Sequence, residues 1–310
     1  MSAVMRDDAE RQDAQRMLAD AVNTFVTRAT SIKRVRALRD TQPGFDKNLW
    51  MSIAEQGWLG IHVPEQYGGQ GLGFSELRIV AQTLGGALIP EPLTACAVLA
   101  TGAILHGDNE ALKQKLLPQM VEGKLMVALA WQEGLASTDL SASLKATKGK
   151  DGYTLSGTKR FVTPAAGADG FVVSASDGGK TALFYLPANT AGVEVKLERR
   201  VDGTFCGLVS FKDAKAEAVA ASTAVGAAAL QRAIDEATIV AAAELSGVMA
   251  NVLELTLNYM KTRVQFGVPI GSFQALQHRA VDLYIQKELS CALVAHVMNE
   301  LDNEIGRAHV

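Results

Sequence analysis

Apolar positions recur at helical spacing, then in short alternating runs, then at helical spacing again, and this divides the chain into three zones. In the first, Asp8–Arg28 carries Ala14, Met17, Leu18, Ala21, Val22 and Phe25 on one face, which predicts an amphipathic helix. Phe45–Gly57 repeats the pattern with Leu49, Ile53 and Ala54. The stretch His62-Val-Pro-Glu-Gln-Tyr-Gly-Gly-Gln-Gly-Leu-Gly73 is too rich in Gly and Pro for a helix and reads as a loop. Helices are expected again at Phe74–Leu84, Leu93–Leu105 and Glu110–Glu122. The second zone holds strand-like runs at Met126–Trp131, Tyr153–Val162, Gly170–Ser176, Ala182–Pro187, Val193–Leu197 and Leu208–Lys212. Turn signals such as Asp151-Gly152 and Asp202-Gly203 separate them, which predicts a small antiparallel barrel or sandwich.

The third zone is helical almost throughout. Ala227–Arg263 has one apolar row of Val248, Val252, Leu255 and Tyr259 and a second of Met249, Leu253 and Met260. Two such rows predict burial on more than one side. After the Gly267-Val-Pro269 break, Ser272 is a plausible N-cap for a helix reaching about Asn303, with Val281, Tyr284, Ile285 and Leu289 as its buried face. The expected domains are therefore 1–123 helical, 124–215 β and 216–310 helical.

Composition adds mostly exclusions. A 310-residue chain with 48% hydrophobic residues and a net charge of −3 has room for a sizeable core and carries no basic nucleic-acid footprint. The start lacks the apolar segment of a signal peptide, and no uninterrupted apolar run nears the roughly 20 residues of a membrane span. Cys96, Cys206 and Cys291 are odd in number and widely spaced, which fits reduced thiols in the cytoplasm rather than disulfides or a metal site.

Familiar catalytic signatures are missing: no nucleophile elbow, no phosphate-binding P-loop and no His/Cys metal spacing. The glycine cluster Gly68–Gly73 follows no predicted strand, so a dinucleotide fingerprint is excluded. The five histidines (His62, His106, His278, His296 and His309) are scattered and read as ordinary surface or core residues.

Four segments, in chain order, carry more information. These are Gly57-Trp-Leu-Gly-Ile-His-Val-Pro-Glu-Gln-Tyr-Gly-Gly-Gln-Gly-Leu-Gly73, Ala128-Leu-Ala-Trp-Gln-Glu-Gly-Leu-Ala-Ser-Thr-Asp-Leu140, Asp151-Gly-Tyr-Thr-Leu-Ser-Gly-Thr-Lys-Arg-Phe-Val-Thr163 and Tyr259-Met-Lys-Thr-Arg-Val-Gln-Phe-Gly-Val-Pro-Ile-Gly-Ser-Phe-Gln-Ala-Leu-Gln-His-Arg-Ala-Val-Asp282. Together they resemble the acyl-CoA dehydrogenase family across essentially the whole chain. The resemblance implies an α+β fold with an N-terminal helical domain, a central antiparallel β domain and a C-terminal helical bundle. It also implies FAD as cofactor and α,β-dehydrogenation of an acyl-CoA, in which a carboxylate takes the α-proton.

Carried over residue by residue, the resemblance assigns Arg263 to the FAD pyrophosphate of a neighbouring subunit, a role suited to an always-charged guanidinium fork. Gln265, Phe266 and Gln274 match positions lining the same end of the cofactor. Phe161 matches the aromatic packed on the isoalloxazine and Thr163 a hydroxyl that bonds it. Gln132 stands where relatives place a Thr near flavin N5, and Thr138 falls in the loop that faces substrate. The resemblance places the family base in a segment expected beyond the position of Val310, or at alternative positions that here hold Ala237 and Thr238. Glu236 and Glu244 are the nearby carboxylates.

Within the family, Ala233-Ile-Asp-Glu-Ala-Thr238, Ala243-Glu-Leu-Ser-Gly247 and then Thr262–Asp282 resemble the small-subunit branch of pimeloyl-CoA dehydrogenases. That implies a dicarboxylyl-CoA substrate, a homodimer or a heterotetramer with a larger family subunit, and an electron-accepting flavoprotein. Two alternatives stay open. One is a silent partner completing another subunit's FAD site, with steroid side-chain CoA thioesters as its substrate class, and the other a flavin oxidase or monooxygenase.

Overall fold

The computed structural model describes residues 3–135, 139–150 and 152–308. The helices are α1 (Ala3–Ala29), α2 (Ile32–Arg39), α3 (Lys47–Glu55), α4 (Phe74–Gly86), α5 (Thr101–Leu105), α6 (Glu110–Val121), α7 (Thr223–Thr262) and α8 (Gln274–Ala308). The strands of the central region are β1 (Val127–Ala130), β2 (Lys145–Gly149), β3 (Gly152–Val162), β4 (Gly170–Asp177), β5 (Lys180–Pro187), β6 (Val193–Arg199) and β7 (Phe205–Ala218). A small hairpin of β8 (Val264–Gln265) and β9 (Val268–Pro269) joins α7 to α8. The expected Leu93–Leu105 helix is present, but Leu93–Ala100 is wound as a π-helix before α5 takes over. The sequence pattern missed α2, the polar strand β2 and the two-residue strands, all too short or too polar to show a period.

The chain forms two compact units. One comprises residues 33–72 and 90–238, the other residues 1–32, 73–89 and 239–310. In the first unit, β4, β2, β3, β7 and β5 pair in a closed ring, because β5 bonds both β7 and β4. β1 lies parallel on β4, and β6 extends from β7. The alternation along β4 and β5 explains the packing. Phe171, Val173, Phe184 and Leu186 point into the ring interior with Leu155, Val209 and Phe211, while Val172, Leu183 and Tyr185 turn to a second core built with α5, α6 and the start of α7.

The glycine-rich loop is a structural closure. The amides of Gln70, Gly71 and Leu72 donate to the carbonyls of Gly60, Val63 and Ile61 at 2.8–2.9 Å. A Cβ on Gly69 would stand 2.0 Å from the Val63 carbonyl oxygen, so only glycine fits.

In the second unit, Gly73 precedes α4 and has no side chain to cap it. Asp302 of α8 does so instead, accepting from the amides of Phe74 (2.5 Å) and Ser75 (3.1 Å), while Glu76 accepts from the Gly73 amide. Arg11 of α1 bridges Glu76 and Asp302 at 3.1 Å each.

Two expectations about the long helices are corrected. On α7, Leu253 is buried and Met249 and Met260 partly so, but Val252, Leu255 and Tyr259 are more than half exposed. On α8 the packed residues are Val294 and Met298, while Val281, Tyr284, Ile285 and Leu289 are exposed. Both helices are apolar on more sides than this chain covers. α7 is the one helix among the described residues long and apolar enough to cross a membrane, by length and composition alone. Ser272 is not the N-cap: it lies in a 3₁₀ turn, and its hydroxyl donates to the Pro269 carbonyl at 2.8 Å.

Candidate functional site

The residues singled out in the sequence fall into two groups, one in each unit. The first lies at the rim of the strand ring. Gln132 follows β1, is half-buried, and its carbonyl accepts from the Arg160 amide at 2.8 Å. The pairing of β3 with β7 slips between Lys159 and Val162, leaving Arg160 and Phe161 to face one residue of the partner strand. Phe161 sits in this bulge at φ +53° and is 39% exposed. A non-glycine residue held in the left-handed region on an edge bulge marks a re-aimed side chain. Thr163 follows, its hydroxyl 3.5 Å from the Phe161 carbonyl.

Behind this rim lies an ion pair between a buried lysine and a partly exposed carboxylate, which no periodicity in the sequence reveals. Lys159 is wholly buried; its ammonium donates to Glu133 Oε1 (2.5 Å), Ser174 Oγ (2.9 Å) and the Trp131 carbonyl (3.2 Å). Burial pulls the Lys159 ammonium down to about 8 against the opposing pull of Glu133. Burial pushes the Glu133 carboxyl up, but the Lys159 ammonium and the amides of Leu144 and Ser143 outweigh it and hold it low. Those amides donate at 2.9–3.0 Å, so one side chain ties position 133 to positions 143 and 144. Thr138, expected to face substrate, lies outside the described residues. In the same unit, Asp139, Ser141, Lys180, Thr181, Thr223 and Gln231 help to line a cleft of about 450 Å³.

The second group surrounds the β8–β9 hairpin. Arg263 follows the last residue of α7, is exposed, and has no ion pair among the described residues, while its carbonyl accepts from the Ile270 amide. Gln265 lies on β8, and Gln274 opens α8. Phe266, between the two strands, is 93% exposed at φ +54° and meets Phe273 edge-on at 6.2 Å. Arg263, Gln265, Phe266 and Gln274 are thus all exposed around the β8–β9 hairpin and the start of α8.

The two carboxylates named from the sequence are placed differently. Glu236 is 2% exposed and accepts from His106 Nε2 at 2.8 Å and Arg232 Nε at 3.0 Å. Burial raises its carboxyl, but His106 and Arg232 outweigh that and keep it low. Buried His62 stands close enough to feel this charge, and burial pulls its imidazole down to about 4. Glu244 is half-buried on α7, and its backbone lies against Gly85 of α4. Ala237 is buried, and the Thr238 hydroxyl is used on the Ile234 carbonyl. No group of metal-ligating side chains exists among the described residues.

Most of the chain is similar to known proteins. Residues 12–124 match the family model "Acyl-CoA dehydrogenase, N-terminal domain" and residues 224–308 match "Acyl-CoA dehydrogenase, C-terminal domain". The mitochondrial isovaleryl-CoA dehydrogenase of Pongo abelii is 30% identical over 88% of this chain and 68% of its own length. The chain belongs to the acyl-CoA dehydrogenase family. Two solved structures are also similar. The Tcur3481-Tcur3483 steroid ACAD shares 31% identity over 93% of this chain and 78% of its own, with a TM-score of 0.83. The ChsE4-ChsE5 complex from Mycobacterium tuberculosis shares 30% identity over the same fractions, with a TM-score of 0.81.

Members of this family are FAD-dependent oxidoreductases acting on acyl-CoA. The donor set fits that cofactor. An exposed guanidinium without a carboxylate, flanked by two amide side chains, suits a pyrophosphate, and a half-exposed aromatic on a bulge beside a hydroxyl suits a flavin ring. The 3.6-residue and strand periods could not show Lys159–Glu133 or His106–Glu236. Each pair joins residues distant in sequence, and a lone charged residue in a strand reads as solvent-facing.

Proposed function

We propose that this chain is a subunit of an oligomeric acyl-CoA dehydrogenase and supplies parts of two FAD contacts. Arg263, Gln265, Phe266 and Gln274 hold the pyrophosphate end of a cofactor bound mainly by a neighbouring subunit. Gln132, Phe161 and Thr163 face an isoalloxazine ring. Bound FAD would accept the β-hydrogen of the thioester as hydride. The observation that carries the reading is Arg263: an exposed cation with no ion pair among the described residues, at a hairpin that carries an aromatic residue left almost wholly in solvent.

The chain's own residues then bind and orient. The cleft lined by Asp139, Ser141, Lys180, Thr181 and Gln231 takes the polar arm of the thioester, with Lys180 as its cation. Proton abstraction is the step these residues support least. Glu236 is locked by His106 and Arg232, Ala237 has no acidic group, and the Thr238 hydroxyl is spent within its own helix. This favours a heteromer in which a larger family subunit provides the base and this chain completes the cofactor site. The likeness to the steroid ACAD supports a steroid side-chain CoA thioester. A dicarboxylyl-CoA such as pimeloyl-CoA is the competing substrate from the sequence resemblance. Free Cys96, Cys206 and Cys291 suit the cytoplasm, with electrons passing on to an acceptor flavoprotein.

The test is to purify the chain alone and with a larger family subunit from the same source, then read flavin absorbance before and after anaerobic addition of each thioester. Flavin held and bleached only in the mixture supports the heteromer. A yellow single chain bleached by a thioester shows an independent enzyme, and a mixture without flavin overturns the reading.

A further inference from the structure

Lys159 is the one lysine among the described buried residues, and nothing in the site assignments above uses it. Its ammonium is enclosed on every side. Glu133 is the charged group that faces it; β4 adds the Ser174 hydroxyl, the chain leaving β1 adds the Trp131 carbonyl, and β7 sets Val209 opposite it in the ladder. With the ammonium fully buried and Glu133 still 22% exposed, the pair does little for net stability, because desolvation of Lys159 offsets much of the attraction. A pair kept at that cost is better explained by what it positions.

What it positions is specific. Lys159 is the last residue of β3 in register before the slip that carries Phe161, so it anchors the bulge from the strand side. Glu133 follows Gln132, and its carboxylate also fastens the amides of Ser143 and Leu144. The Arg160 amide donates to the Gln132 carbonyl at 2.8 Å, which ties the two anchored stretches to each other. Removing the ion pair would release Gln132 and Phe161 together while leaving the hydrophobic interior of the ring intact.

We propose that Lys159 and Glu133 form a positioning pair that holds Gln132 and the bulge-borne Phe161 at the spacing a flavin ring requires. The inference rests on the assignment of Gln132, Phe161 and Thr163 to the flavin. Lys159 holds its proton less firmly than an ordinary lysine, losing it near pH 8 rather than near 10.5. The latch should therefore weaken in mildly alkaline solution, where exposed lysines stay charged.

The experiment uses the flavin-loaded assembly and reads the visible spectrum of bound flavin and its retention on desalting, from neutral pH to about two units above the Lys159 midpoint. The expected result is a shift in the flavin band and a loss of retention as pH rises through about 8. In Lys159→Met the shifted spectrum and weak retention should already be present at neutral pH, with no further change on alkalinisation. Circular dichroism melts confirm that the variant is folded. If it is not, Lys159→Met combined with Glu133→Gln removes both charges and carries the same expectation, and the titration of the unsubstituted assembly stands by itself. A flavin spectrum and retention independent of pH across this range, or a folded Lys159→Met assembly that titrates like the unsubstituted one, overturns the proposal. Failure of the flavin assignment looks different: Phe161→Ala would then leave the spectrum unchanged at every pH.

Discussion

Gly247 of α7 lies so close to Gln82 of α4 that a Cβ on it would stand 1.8 Å from the Gln82 carbonyl oxygen. The neighbouring Gly85 and Gly86 face the backbone of Glu244 and Gly247 in the same way, and Asn251 donates to the Gly86 carbonyl at 2.6 Å. The two helices are in backbone contact, which only a glycine cluster allows. Gly247→Ala must push them apart at a place where no side chain can yield. The cost should be about 1–3 kcal/mol or more, as for other overpacked interiors. A thermal melt checks this: a midpoint lowered by several degrees is expected, and an unchanged one would mean the crossing can relax.

Arg263→Ala should weaken FAD retention by roughly one to two orders of magnitude, because charge-assisted hydrogen bonds to a phosphate contribute about 1.5–3 kcal/mol. Arg263→Lys should recover part of this, since it keeps the charge and loses the fork. Flavin occupancy after desalting measures both. Occupancy unchanged in Arg263→Ala would remove the assigned role, and the fold should be unaffected because Arg263 has no ion pair to lose among the described residues.

The hairpin shows how far a sequence can be read. Arg263 to Gln274 was legible because its residues are contiguous, and a short turn fixes their mutual geometry whatever surrounds it. The strand region was legible as strands for a similar reason, since alternation along β4 and β5 is local. What stayed hidden depends on partners far along the chain. Asp302 caps α4 from more than 200 residues away. Lys159 points inward on an otherwise ordinary strand, and the exposed face of α8 carries the same apolar period as a buried one. Leu289 was expected inside for that reason. Periodicity reports that a face is apolar, not what covers it.

His62 and Glu236 set an acid limit on stability. Burial lowers the His62 imidazole from 6.5 to about 4, so the unfolded chain binds a proton there that the folded chain refuses. The stability this neutral residue contributes is complete above about pH 6.5 and is lost as pH falls from there towards about 4. The loss approaches about 3 kcal/mol when fully developed. Glu236, whose carboxyl is held low, adds a loss in the same direction at still lower pH, as it falls through its own folded midpoint. Urea midpoints between neutral pH and about pH 4.5 check this. His62→Gln should flatten the profile above pH 5, and a variant as acid-sensitive as the parent would assign the effect elsewhere.

Leu255, Tyr259, Ile285 and Leu289 are each 47–65% exposed on the long helices that flank the β8–β9 hairpin. Apolar side chains left open over that length favour association, and they lie on the helix that Arg263 follows and the helix that Gln274 opens. A family subunit docked there would cover the apolar face and place its own cofactor near the cation in a single event. Leu255→Glu combined with Leu289→Glu should therefore lower the oligomeric state and the flavin content together. Both are read from one preparation by light scattering and visible absorbance. The helices should keep their helicity, since both substitutions sit on exposed faces and Glu is a good helix former. Dissociation with full flavin content would separate the apolar face from the cofactor site. An unchanged assembly would show that this face is not the interface.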